Sequence, residues 1–197
     1  MHEQFFLPGF DAPPRPTDRL FFALIPAADA GTAIVRQGRL LREELGLTGR
    51  LIGVDRVHVT LSHLGDYLEL PQDVVATAMS AAANVRAEPF DVVFERVVSF
   101  HGRPRNYPLV LVGGDGDSDS NATLTAFQRT LVKVLQKAGI RSANSHYTPH
   151  ITLLYNKYRV PPRVVESIRW TVQEFALVHS LLGRSRHVTL ARWPLQS

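Results

Sequence analysis

One pattern constrains this chain more than any other: His58-Val59-Thr60-Leu61 recurs as His150-Ile151-Thr152-Leu153, with 150 − 58 = 92 residues between the two histidines. In a β-strand successive side chains point to opposite faces, so the His and Thr of each copy share a face about 7 Å apart. Val59 and Leu61, like Ile151 and Leu153, point the other way. Each copy therefore presents one imidazole and one hydroxyl. Two such strands facing each other across a cleft would hold two proton-transfer groups and two neutral hydrogen-bond donors, with no carboxylate and no metal-ligand cluster. That inventory suits in-line attack on a phosphate ester.

At 197 residues the chain is long enough for one ordinary domain, or for two small lobes that share a core. It contains no cysteine, which removes disulfides, thiol catalysis and thiolate metal sites and fits a reducing compartment. Its eight histidines become the catalytic candidates. No run approaches the ~20 apolar residues of a membrane helix, and the N-terminus, MHEQFFLPGFDAPPRP, lacks the basic-then-apolar layout of a signal peptide. A soluble, cytoplasmic protein without a membrane partner is expected, as a monomer. The net charge of +4, from 22 basic against 18 acidic residues, attracts polyanions mildly and falls far short of a nucleic-acid-coating composition.

Residues 1–17, with four prolines, read as an irregular arm, and residues 18–197 as a single domain. Arg19 to Pro26 reads as a buried strand. Asp29 can cap a helix with Ile34, Leu41 and Leu45 near one face and Gly46 as its stop, which leaves Arg36, Arg39 and Arg42 to solvent. A short strand at 50–52 and the first motif strand, Val57 to Leu64, follow, the latter ended by Gly65-Asp66. Pro71 opens a second helix. Phe90 to Phe100 and Pro108 to Val112 are strands, separated by a basic loop that holds Arg103, Arg105 and Tyr107. These three are candidates to bind phosphate and stack a base, with an ordinary exposed loop as the alternative.

Asp115, Asp117 and Asp119 alternate in GGDGDSDSN, but an EF-hand loop begun at Asp115 would need Gly at its sixth place and Glu at its twelfth, where Ser120 and Ala126 stand. A polar loop capping the next helix, which Gly139 closes, is expected instead. His146 and His150 at i, i+4 would suit a metal pair on a helix, yet Pro149 and the strand pattern argue against one. The second motif strand, Tyr147 to Tyr155, precedes a terminal hairpin of Phe175 to Leu182 and His187 to Leu190. Strand, helix and motif strand thus occur in that order twice. Without strict βαβ alternation, the class is α+β with antiparallel or mixed sheets.

Eight histidines and 12 threonines in 197 residues give roughly 0.5 H-x-T matches by chance, so a single copy would be weak. There are three, the third being His187-Val188-Thr189-Leu190. Context separates them. Val57 to Gly65 resembles the first signature, and Thr148 to Leu153 the second signature, of the 2H phosphoesterases, with Arg19 to Pro26 similar to that family's opening strand. The resemblance spans about residues 19–195 and is nearest to the LigT-like RNA 2′,3′-cyclic phosphodiesterases, also described as 2′-5′ RNA ligases. It implies a bilobal fold of pseudo-twofold symmetry, two sheets with flanking helices, and a site in the groove between. Two positions depart from the pattern. His63 stands where an aromatic residue is frequent, and Tyr155 where a basic residue often follows the second motif. Both bear on substrate contacts, Tyr155 as a candidate contact to RNA, rather than on the chemistry.

The resemblance carries the catalytic roles to His58 and His150 and phosphate binding to Thr60 and Thr152, with no metal and no cofactor. His187 falls on the family's closing strand and is expected to be structural, at most touching RNA near the groove. The resemblance further implies His150 as base toward water and His58 as acid toward the departing 3′ oxygen, which leaves a 2′-phosphate; in a reversible 2′-5′ RNA ligation the roles exchange. The expected partner is an RNA or nucleotide with a 2′,3′-cyclic phosphate end. Alternatives are a phosphodiesterase for another small cyclic nucleotide or a 2′-5′ oligonucleotide, and a non-catalytic nucleotide-binding module. The last needs no acid–base pair, and both histidines are present.

Overall fold

The repeated strand, helix and motif strand build the two halves of one sheet. The structure, a computed structural model, describes residues 14–114, 121–141 and 147–196. Among these the first unit is β1 (Asp18–Leu24), α1 (Ala28–Glu44), a 3-10 turn (Val54–Arg56) and β2 (Val59–Tyr67). After α2 (Gln72–Ala82) and β3 (Phe90–Ser99) comes the second unit, β4 (Tyr107–Val112), α3 (Ala122–Lys137) and β5 (His150–Asn156). The chain then adds β6 (Arg163–Val172), β7 (Glu174–Leu181) and β8 (Arg186–Pro194).

The strands lie in the order β6-β3-β4-β5-β2-β1-β7-β8, antiparallel throughout. The class is α+β, as expected. Instead of two separate sheets, the described residues form one of eight strands. The reason is local: the motif strands abut at the centre, where the single register pair Val59↔Ile151 carries the ladder from one half to the other.

The apolar members of each motif strand make the core. Val59, Leu61, Ile151 and Leu153 are buried with Leu20, Phe22 and Leu24 of β1 against Ile34 and Leu41 of α1 and Leu124, Phe127 and Leu131 of α3. Fully burying each such side chain is worth about 1.5–3 kcal/mol, so this face fixes the register of both motif strands. The other face carries a small cluster of Phe21, Ala23, Ala176 and Val178. It is on this second face that His58, Thr60, His150 and Thr152 emerge.

Several local expectations need correction. Asp29 sits in the first turn of α1 rather than at its cap, which is Ala27. Asn121 precedes α3, but its amide bonds the backbone N and O of Val93 instead of capping the helix. β2 continues through Gly65 to Tyr67, because Gly65 takes a positive φ of 151° and the pairing with β1 slips between Leu20 and Phe21, which brings Asp66 opposite Arg19. Residues 50–52 form only a bridge, Leu51↔Leu154, with Ile52 N–H donating to Leu153 O at 2.8 Å. β6 is a strand that the sequence pattern does not announce. Asp115, Asp117, Asp119 and His146 lie outside the described residues, as does most of the N-terminal arm. No described helix is long and apolar enough to cross a membrane.

Candidate active site

Each motif strand places its histidine by the same local device. The Nδ1–H of His58 donates to Arg56 O at 2.7 Å, and that of His150 to Thr148 O at 2.8 Å, a carbonyl two residues back in both cases. A carbonyl can only accept, so this bond fixes the neutral tautomer and leaves Nε2 to the groove as a proton acceptor. A phenylalanine then packs each ring, Phe21 on His58 and Phe100 on His150, both at 4.9 Å between centroids. The duplicated sequence becomes a duplicated setting.

Both imidazoles, with the hydroxyl-bearing Thr60 and Thr152, line one cavity of about 670 Å³ on the helix-free face. Burial pushes His58 down to about 4 against the pull of its bond to Arg56, and the nearby His187, His150 and Arg56 lower it further. Burial likewise lowers His150, opposed by its bond to Thr148. Both rings are therefore neutral near pH 7. A phosphate anion between them would offset the desolvation and favour a proton on one ring. Two imidazoles in one tautomer, one taking a proton as the other gives one, can serve opposite ends of an in-line displacement in either direction.

The sequence brought forward part of this lining. Tyr155 stands at the cavity, whereas Arg103 and Arg105 on the turn between β3 and β4, and Tyr107 at the start of β4, do not line it. His187, expected to be structural, lines the cavity as well. Its ring meets His58 edge-on at 5.2 Å and Phe21 at 5.6 Å, because β8 extends the sheet beside β7 and β1 on the motif face. Thr189 of the same third motif is exposed and does not line the cavity.

Other lining residues escaped the reading. Arg19 and Phe21 alternate on β1, so extending its two-residue period would have placed them on the motif face. Arg19 is held by Asp66, with Nε to Oδ1 and Nη2 to Oδ2 both at 2.7 Å, and His63 Nε2 donates to the same Oδ1 at 2.9 Å. The arginine first, then the histidine, holds the Asp66 carboxyl down at about 2 against its burial. Tyr147 carries no signal in the sequence beyond its place before the motif. Its hydroxyl is buried in the cavity wall without a hydrogen-bond partner among the described residues, and burial pushes its ionisation well up, so it stays a donor.

The description "2′-5′ RNA ligase superfamily" belongs to the sequence profile that matches residues 39–184. Similar solved structures include E. coli LigT complexed with 3′-AMP, 25% identical over 91% of this chain and 99% of that one, with a TM-score of 0.69. LigT complexed with phosphate is 25% identical over 93% and 99%, at 0.64. TT0787 of Thermus thermophilus is 25% identical over 90% and 97%, at 0.66. No curated protein matches the sequence.

Proposed function

Because the chain belongs to the 2′-5′ RNA ligase superfamily, with the LigT-like 2H phosphoesterase fold, we propose that it is an RNA 2′,3′-cyclic phosphodiesterase. The observation that carries this reading is the paired setting of His58 and His150, each with Nδ1 tied to a carbonyl and Nε2 left to one shared cavity. Binding alone requires no such pair. That E. coli LigT accepts 3′-AMP and phosphate in crystals supports a nucleotide phosphate in this groove.

In the reaction, His150 Nε2 takes a proton from water as the water oxygen bonds to phosphorus. The bond from phosphorus to the 3′ oxygen breaks, and protonated His58 gives its proton to that oxygen. Water and cyclic phosphodiester together become a 2′-phosphomonoester and a 3′ hydroxyl. Thr60 and Thr152 donate to the non-bridging oxygens, and hold phosphorus in line between the imidazoles. With a 5′ hydroxyl in place of water as the nucleophile, the same exchange of protons, His150 taking the hydroxyl proton and His58 giving one to the departing 3′ oxygen, forms a 2′-5′ linkage.

The test is turnover of a short RNA ending in a 2′,3′-cyclic phosphate by the wild type, His58→Ala and His150→Ala. Each variant should lower kcat by about 10²–10⁴, the range for a lost general acid or base. Wild-type turnover that survives both substitutions in folded proteins would remove the pair from the chemistry.

A further inference from the structure

Basic groups are divided unevenly around the cavity. Among the described residues, the half containing β2, β1, β7 and β8, with the turn that enters it, supplies Arg19, Arg56, His58, His63 and His187, whereas the basic lining residue of the other half is His150. Arg19 and His63 are committed to Asp66, and His58 to the Arg56 carbonyl. The Arg56 guanidinium and the His187 ring have neither an ion pair nor a hydrogen bond among the described residues. They are also neighbours. The 3-10 turn that ends at Arg56 packs on β8, and His187 is lowered by burial first and then by the charge of Arg56, with Asp55 on the same turn opposing.

Their position relative to the catalytic pair is fixed by the sheet. Arg19 of β1 faces Ser180 of β7, and Ser180 faces His187 of β8, a row across three strands in which opposed residues lie about 4.5–5.5 Å apart. His187 is in ring contact with His58. Among the described residues nothing equivalent stands beside His150: β6, which occupies the place of β8 in the other half, has no histidine and lines no part of the cavity. The site thus has symmetric catalytic groups and an asymmetric anion-binding flank. A substrate bearing a single phosphate would leave that flank unused.

We propose that Arg56 and His187 form a second anion subsite, which takes the phosphate on the 5′ oxygen of the nucleotide whose terminal phosphate lies between His58 and His150. The inference deepens the phosphodiesterase reading and rests on it for the placing of the terminal phosphate. In an RNA that 5′-linked group is the last internal phosphodiester; in a free nucleotide it is a phosphomonoester. The subsite therefore selects chain ends, or 5′-phosphorylated nucleotides, over a cyclic mononucleoside.

Calorimetric titration tests this without turnover, so its failure is distinct from failure of the proposed activity. Wild-type protein is titrated with 3′-AMP and with adenosine 3′,5′-bisphosphate, and the two titrations are repeated with Arg56→Gln, His187→Gln and the double variant. The wild type should bind the bisphosphate about tenfold or more tighter than 3′-AMP, a difference of about 1.4 kcal/mol. Each single variant should reduce that ratio and the double variant abolish it, with 3′-AMP as the internal reference for an intact site. A dinucleotide with a 3′-phosphate end should show the same preference if the diester of RNA is the source, and its lack of one would assign the subsite to the free 5′-phosphate. Equal binding of both ligands by the wild type, or a ratio that survives in the double variant, would overturn the proposal.

Discussion

His58 and His150 feel the same two opposed influences: burial, which removes the proton, and a carbonyl on Nδ1, which favours it. Burial wins for both, so each titrates below the ordinary histidine value of 6.5. The proposed catalysis needs one ring protonated and one neutral, a state most populated in the free protein between the two lowered values. The profile of kcat/KM should therefore peak on the acid side of about 6.5, and that of kcat should lie higher, because bound phosphate restores affinity for the proton. Steady-state rates across pH check this, and a kcat/KM maximum on the alkaline side of neutrality would contradict it. The two motif histidines were legible because their strand alternation is local. The place of His187 was not, since a tetrapeptide identical to the first motif carries no information about which strands its own strand joins; only the order β2-β1-β7-β8 brings it to His58.

At the scale of elements, the motif strands are held from behind. The segment between α1 and β2 lies on β5 through the Leu51↔Leu154 bridge, and Gly49 comes so close that an added Cβ would stand 2.1 Å from Tyr155 O and 2.8 Å from Leu154 Cδ1. Backbone cannot yield as a side chain end does. Gly49→Ala should therefore destabilise the fold by about 1–3 kcal/mol, the usual range for overpacking, read as a lower midpoint in urea. An unchanged midpoint would show that the segment is free to lift from β5. The long strands were readable from runs such as Phe90 to Phe100, in which Phe90, Val92, Phe94 and Val97 are buried between neighbours on either side. β6 was not, for it is an edge strand: Val164 is 76% exposed, Arg163, Glu166 and Ser167 break the apolar run, and the inward-facing Ile168, Trp170 and Val172, with partly buried Val165, are few. An edge strand meets the core along part of one face, which weakens the two-residue period that sequence reading relies on.

The described residues repeat a strand, a helix and a motif strand about the centre of the sheet, and the place where the halves touch, Val59↔Ile151, lies between the residues proposed to carry the chemistry. The expectation of two lobes captured the duplication and missed that the ladder runs on through one residue pair, a matter of strand placement that no local pattern records. What the duplication supplies is a pair of proton carriers and a pair of hydroxyls in one cavity. In the proposed mechanism those groups carry the displacement without a divalent ion. Among the described residues no three His, Asp or Glu side chains are grouped to hold one. The most direct measurement is phosphorus NMR of a short RNA with a 2′,3′-cyclic phosphate end, incubated with the protein in EDTA. The prediction is conversion of the cyclic signal to a 2′-phosphomonoester alone, at a rate that chelation does not change. A 3′-phosphate product, or turnover that stops in EDTA and returns with a divalent ion, would contradict the two-histidine mechanism.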